Sequence, residues 1–363
     1  MPNKVIAPMG GRWVVAGFLL LAVGVAPLRA EEAEQTAGRA SGAAEVEHGF
    51  GRVKVHGSGD LSGDAQELSV GLQARRLFNG PLFFAGEGRV GQERLLPYDL
   101  HHWGGEVGLG AALDEATDLS AFYRLDDYSV FNVSADADAA FRTVRGLSTV
   151  SALGLALKRD QRDDPFYPTA GYRARLKGEM ALRGWGGDYN FGRLESDFSL
   201  YATPLGSPAA GRWWGELTFV EHLRVGWLES FGSTDEVPFF ERYFVGGAST
   251  VRGHRGRWLT PRGNDDQFVG GKLELLNNVE ARLPIFKERF HRRLSVAAFF
   301  DVGRAYRRFS EVGDFGYGVG AGLRYVVKIW EVQGVARADY GVNLAREDDD
   351  STSHLHLTFG IPF

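Results

Sequence analysis

The 363 residues carry 41 Lys and Arg against 46 Asp and Glu, a net charge of -5, so there is no basic footprint for nucleic acid. The absence of cysteine excludes a disulfide framework and thiolate chemistry, and suits passage through an oxidising compartment. Glycine (49) and aromatic residues (25 Phe, 12 Tyr, 8 Trp) are abundant and proline (13) is scarce, a composition that favours closed β architectures.

In chain order, residues 1–30 read as a secretory signal. Lys4 and Arg12 charge its start, Trp13 to Val25 form an apolar stretch, and Ala30 ends it, although Leu28 departs from the small residue preferred two positions earlier. After Ala30 no apolar run approaches the roughly 18 to 20 residues that a membrane-spanning helix needs. The mean hydropathy is slightly negative, which fits a membrane barrel because every second strand residue faces a polar lumen. Residues 31–48 are rich in Ala, Glu and Gly without periodicity and are expected to form a disordered periplasmic leader, with the barrel domain occupying 49–363.

From Gly49 the chain divides into alternating segments that begin near residues 50, 67, 81, 99, 116, 147, 171, 189, 211, 267, 292, 315, 331 and 353. This predicts an all-β, transmembrane, antiparallel up-and-down barrel of about fourteen strands, with both termini on the periplasmic side. Period two is plain at the C-terminus, where Leu355, Leu357, Phe359, Ile361 and Phe363 share one face and His354, His356, Thr358 and Gly360 the other. Upstream, Leu294, Val296, Ala298, Phe300 and Val302 oppose Ser295, Ala297, Phe299, Asp301 and Gly303. After Gly271, Lys272, Glu274, Leu276, Asn278, Glu280 and Arg282 share one face, whose Lys, Glu and Arg require water or a polar plug on that side. A soluble sandwich would bury the apolar faces in a shared core instead, and periodicity alone does not separate the two.

Short connections such as Lys328-Ile329-Trp330 alternate with longer ones, and the longest, about Leu228 to Gln267, falls outside the cell. It contains Gly246 to Arg257, GGASTVRGHRGR, in which Gly253 permits a sharp turn next to Arg252. By itself this run is equally a surface loop with a basic tip.

Five segments change that balance. Leu157 to Tyr172 (LKRDQRDDPFYPTAGY), Glu241 to His254 (ERYFVGGASTVRGH), Phe299 to Arg304 (FFDVGR), Ala336 to Gly341 (ARADYG) and the terminal HLTFGIPF together resemble the BamA/TamA superfamily of outer-membrane assembly and translocation barrels, the bacterial surface antigens. His254 stands where the family more often has Tyr or Phe. The resemblance implies that the long loop folds into the lumen with Val251, Arg252, Gly253 and His254 at its tip, and that Arg252 meets Asp301 of the motif Phe299, Asp301, Gly303. Parity places Asp301 on the polar face independently. Gly316, Gly318, Gly320 and Gly322 share one side of the next strand and would let a loop backbone approach closely, or would only ease barrel curvature. Phe359 and Phe363 resemble the C-terminal signal read by assembly machinery, and equally suit lipid-facing anchors.

The family usually carries periplasmic POTRA domains before a barrel of about sixteen strands. Here only the short leader is expected, giving a POTRA-less member of fourteen strands, with sixteen as the alternative count. Gly49, Gly51, Gly57 and Gly59 make the first strand a weak seam open to a partner or to self-association.

Catalytic signals are sparse. Asp160, Arg162, Asp163 and Asp164 fit a solvated periplasmic turn, His101 and His102 point to opposite faces, and Asp348 to Asp350 suit a loop tip. No nucleophile elbow or phosphate-binding loop is evident. The sequence therefore reads as a non-enzymatic outer-membrane barrel without cofactor or metal. Its expected role is outer-membrane protein assembly, insertion or translocation, with polypeptide clients and a separate periplasmic or membrane partner. Outer-membrane lipid and lipopolysaccharide surround it, a homo-oligomer is compatible, and nucleic acid is not expected. The alternatives are a passive loop-gated pore or structural barrel and, more remotely, an outer-membrane hydrolase.

Overall fold

In the computed structural model, residues 39–48, 51–62, 65–77, 80–95, 97–205, 213–285, 294–329, 332–344 and 352–360 are described. Among these residues fifteen strands run in chain order: β1 (Arg39–His48), β2 (Gly51–Ser62), β3 (Ala65–Leu77), β4 (Leu82–Leu95), β5 (Tyr98–Ala112), β6 (Thr117–Phe131), β7 (Gly146–Asp160), β8 (Gly171–Ala181), β9 (Phe191–Ala202), β10 (Thr218–Ser230), β11 (Leu273–Pro284), β12 (Leu294–Tyr306), β13 (Gly316–Ile329), β14 (Val332–Asn343) and β15 (Ser353–Gly360). Each pairs antiparallel with the next, and the ring closes where β1 meets β15. Among the described residues that closure is thin. β1 touches β15 in parallel at Arg39 opposite Thr358, and β14 antiparallel at Ala43 opposite Gln333.

β2 to β15 are the fourteen expected strands. The additional strand β1 corrects the expectation of a disordered leader over 31–48, because Arg39–His48 pairs with β2 along its whole length. The small residues of its first half hide the alternation that marks the other strands, and its order comes from the backbone ladder with β2. The closing pair is consequently parallel. Two other starts shift. A 3-10 turn at Trp213–Glu216 delays β10, and the loop's own bridges, Tyr243 with Gly271 and Arg262 with Phe268, delay β11. The signal segment, Asp348 to Asp350 and Phe363 lie outside the described residues, whereas Phe359 lies in β15.

The alternation points outward with its apolar side, which a sandwich could not do. Trp103 (61%), Leu155 (62%) and Leu355 (67%) are exposed on the outer wall, while Glu280, Asp301 and Arg324 are buried on the inner wall. Among the described residues no helix is long and apolar enough to cross a membrane. Strands do so, presenting an apolar belt to lipid.

At the extracellular end the inner faces change character. Val130, Val150, Phe191 and Leu228 pack with Phe141 of helix α1 (Ala139–Arg142) and with Val237 and Phe239 of the β10–β11 loop. Asp138 caps α1 through the N–H of Ala140 (2.8 Å) and also accepts from the N–H of Asn264 (2.8 Å), tying the β6–β7 connection to the long loop. An apolar dome thus roofs a polar lumen and fixes the two ends of the loop that enters it.

Candidate functional site

The chain between Ser230 and Leu273 descends into the barrel. Tyr243 and Gly271 exchange two backbone hydrogen bonds of 2.9 Å, and the N–H of Leu259 donates to the carbonyl of Val245 at 2.9 Å, so the tip is a closed sub-loop. Its turns need glycine. Gly246 (φ 120°) and Gly253 (φ 94°) are left-handed, and a Cβ on Gly253 would lie 2.8 Å from the backbone carbon of Val342. Thr250 closes the first turn by accepting the N–H of Gly246 at 2.8 Å.

Arg252 is 2% exposed at the bottom of this sub-loop. Its Nε and Nη2 donate to the two carboxylate oxygens of Asp301, each at 2.7 Å, and its backbone N–H donates to the same group at 3.0 Å. Nη1 reaches Glu280 at 3.0 Å and Asp339 at 3.3 Å, and the guanidinium lies 3.6 Å from the ring centre of Phe299. Only a planar fork satisfies a carboxylate and stacks on an aromatic face at once. Arg324 bridges Glu280 and Asp339, and Arg282 holds Glu280 from the other side. Three carboxylates from β11, β12 and β14 are therefore matched by two wall arginines and one loop arginine. Burial alone would lower the Arg252 pKa, but Asp301, Glu280 and Asp339 outweigh it and hold the group above its ordinary value.

Around this pair, Val251 packs with Val245, Leu259, Leu276 and Ala305, and Gly303 leaves the room that Leu276 fills. His254 is fully buried, with Nε2 3.2 Å from the carbonyl oxygen of Tyr317. The four glycines of β13 divide. A Cβ at Gly316 would overlap Leu259 and one at Gly318 the carbonyl oxygen of Arg252, so these two admit the loop. Gly320 instead accommodates Phe299 and the Tyr340 carbonyl, and Gly322 the Asp339 carboxylate. Gly318→Ala should accordingly displace the tip and cost about 1–3 kcal/mol by overpacking, whereas Gly88→Ala, with nothing within 4 Å, should be neutral. Thermal melts of the two variants distinguish close approach from curvature: equal, small effects would favour curvature.

Several contacts escaped sequence reasoning. Gly341 of β14 lies against the loop, since a Cβ there would sit 2.6 Å from the nitrogen of Gly253. The N–H of Gly253 donates to Nε2 of His356 at 3.2 Å, linking the tip to the last strand. Asn278 donates to the carbonyl of Thr250 at 2.7 Å. The largest omission is Glu241, in the 3-10 turn Phe239–Glu241. Its buried carboxylate accepts from Arg124 (3.0 and 3.2 Å), from Tyr128 (3.0 Å) and from Arg193, and Arg193 also donates to its backbone carbonyl at 2.9 Å. Asp126 and Glu179 hold Arg124 from behind. The loop is thus clamped twice, by an anion on the β6–β9 wall and by a cation on the β11–β14 wall. The available signal was Glu241 itself, five residues before Gly246 in the quoted motif, with Arg124 and Arg193 on polar strand faces.

The other charged clusters have turn or packing roles. Asp163 accepts the N–H groups of Thr169 (2.8 Å) and Ala170 (3.1 Å), and Asp164 those of Phe166 and Tyr167, both at 2.7 Å. Asp160 pairs with Arg162 at 2.8 Å. His101 stacks edge-on with Phe131 and His102 lies beside Tyr128. Among the described residues no group of three His, Cys, Asp or Glu is arranged to hold a metal.

Residues 60–363 match the Omp85 superfamily domain. Over 253 residues the chain is 25% identical to the outer membrane protein assembly factor BamA of Nitratidesulfovibrio vulgaris, an alignment covering 69% of this chain and 30% of that protein. The chain therefore spans under a third of that relative's length. Among solved structures, BamA from Haemophilus ducreyi lacking POTRA domains 1-3 superposes with a TM-score of 0.66 at 15% identity, covering 89% of this chain and 70% of that one. CdiB from Acinetobacter baumannii superposes with a TM-score of 0.52 at 12% identity, covering 89% and 59%. At these identities the superpositions show a shared fold.

Proposed function

Because the chain belongs to the Omp85 superfamily, we propose that this outer-membrane barrel acts in the assembly, insertion or translocation of outer-membrane polypeptides, with a separate periplasmic or membrane partner. The observation that carries this reading is the placement of the lock. Arg252 braces β11, β12 and β14, and Gly253 reaches β15, the strand whose other edge, among the described residues, meets β1 at Thr358. A wall held rigid from inside, beside a thinly paired edge, can offer backbone N–H and C=O groups to an incoming strand without collapsing. The same edge can receive a second copy of the chain, and the apolar belt sits among lipid and lipopolysaccharide.

Chemical crosslinking in native membranes followed by pull-down tests this reading. Recovery of unfolded barrel polypeptides or of a periplasmic receptor supports it, and recovery of the chain alone would overturn it. A passive pore gated by the loop would behave differently: deleting the loop would raise conductance in planar bilayers, and loss of the gene would leave outer-membrane protein levels unchanged.

A further inference from the structure

Below the lock, in the periplasmic half of the lumen, lies a cavity of about 290 Å³ whose wall includes Lys158 of β7 and Arg173 and Arg175 of β8. Lys158 sits directly opposite Arg175 in the ladder, and Arg173 follows on the same face of β8. Like charges placed directly across a sheet repel. An acid faces each of the three across a ladder, Asp118 opposite Lys158, Asp160 opposite Arg173 and Asp197 opposite Arg175, and offsets part of that repulsion, but each is hydrogen-bonded to another basic side chain. Asp118 is forked by Arg75, Glu106 takes Lys177 at 2.7 Å, Asp160 takes Arg162, and Asp197, opposite Arg175, takes His222 at 3.0 Å. Glu87 is also engaged. Among the described residues the side chains of Lys158, Arg173 and Arg175 make no hydrogen bond or ion pair, and Nε of Arg173 is buried without an acceptor.

The cavity wall also carries Glu87, Glu106 and Asp118, each engaged elsewhere, so the three cations without a hydrogen-bonded acid form its anion site. Its spacing suggests the kind of anion. Alternate residues on a strand stand about 6.6–6.8 Å apart, the repeat at which an extended peptide presents side chains on one face. Its location suggests the route. The dome and the double clamp close the extracellular side, and lipid headgroups lie outside the wall, so the ligand arrives from the periplasm. We propose that Lys158, Arg173 and Arg175 bind an extended polypeptide segment carrying carboxylates at alternate positions. The polypeptide identity rests on the assembly reading above; the cation cluster does not.

The test uses the full chain in detergent micelles with fluorescein-labelled peptides: an alternating Asp-Val peptide, its Lys-Val counterpart, and a peptide of the same composition with the Asp residues in one block. The alternating acidic peptide should bind best, with an affinity that falls as salt rises. Lys158→Gln combined with Arg175→Gln should weaken it at least about tenfold. Heat-modifiable gel mobility reports that the variant barrel is folded, and Lys158→Gln alone serves if the double variant is not. Equal binding of the lysine or block peptide, unchanged binding by the folded variant, or full displacement by millimolar inorganic phosphate would overturn the proposal. Loss of peptide binding with a positive pull-down removes this site alone. A negative pull-down with peptide binding intact removes the assembly role and leaves the site.

Discussion

Arg252→Ala is expected to leave an exported, folded barrel whose loop tip is no longer held. The substitution strands Asp301, which is fully buried and takes three hydrogen bonds from Arg252, whereas Glu280 and Asp339 keep Arg324. Removing one partner of a buried ion pair typically costs about 3–5 kcal/mol. Confined to the loop, that corresponds to roughly a hundred- to several-thousand-fold increase in the open population. Limited proteolysis or hydrogen exchange over residues 246–258 reads it directly. Arg252→Lys should fall between wild type and alanine, because an ammonium supplies the charge without the fork or the stacking on Phe299. Wild-type protection in Arg252→Ala would mean that the apolar contacts of Val251 and Leu259 hold the tip unaided.

The second large effect is expected at Glu241. Glu241→Ala leaves Arg193 and Arg124 facing a void and the hydroxyl of Tyr128 without its acceptor, again a loss of about 3–5 kcal/mol. Glu241→Gln should retain part of the hydrogen bonding and lose the charge. The pH dependence has a definite sign. Burial raises the Glu241 pKa, but Arg124, Arg193 and the donated hydrogen bonds outweigh it and bring it down to about 2. A carboxyl depressed in the folded state stabilises fully above its unfolded pKa, about 4.3, and loses that contribution as pH falls through the folded value. Protection of residues 237–243 should therefore be flat from about pH 8 to 5 and decline from about pH 4.3 toward 2. A decline between pH 8 and 6 at this turn would contradict the assignment.

These two residues differ in how readable they were. Asp301 announces itself by parity, since a carboxylate among alternating residues must face the lumen, and the glycine-flanked Arg252 turn stands out in a loop. Glu241 has no such contrast. Its partners lie 117 and 48 positions away on polar strand faces, and which inward residues converge depends on the stagger of the closed barrel. The same holds for His356, which parity turned inward but could not bring to Gly253, and for Gly341, which reads as an ordinary strand glycine beside the conspicuous β13 series. β1 was missed for a different reason: its first half, Arg39 to Ala44, is mostly small residues with almost no amphipathic contrast, so it looks like a leader until its partner is known.

Loop, wall and edge come together in one experiment. A photo-crosslinking residue at Leu357, outward-facing on β15 and 42% exposed, samples the membrane beside the closing strand pair in living cells. The expected result is adducts with newly exported outer-membrane polypeptides in the wild type, and markedly fewer of them when Arg252→Ala is combined with the probe. Adducts only with lipid or with the chain itself, unchanged by that substitution, would contradict the account.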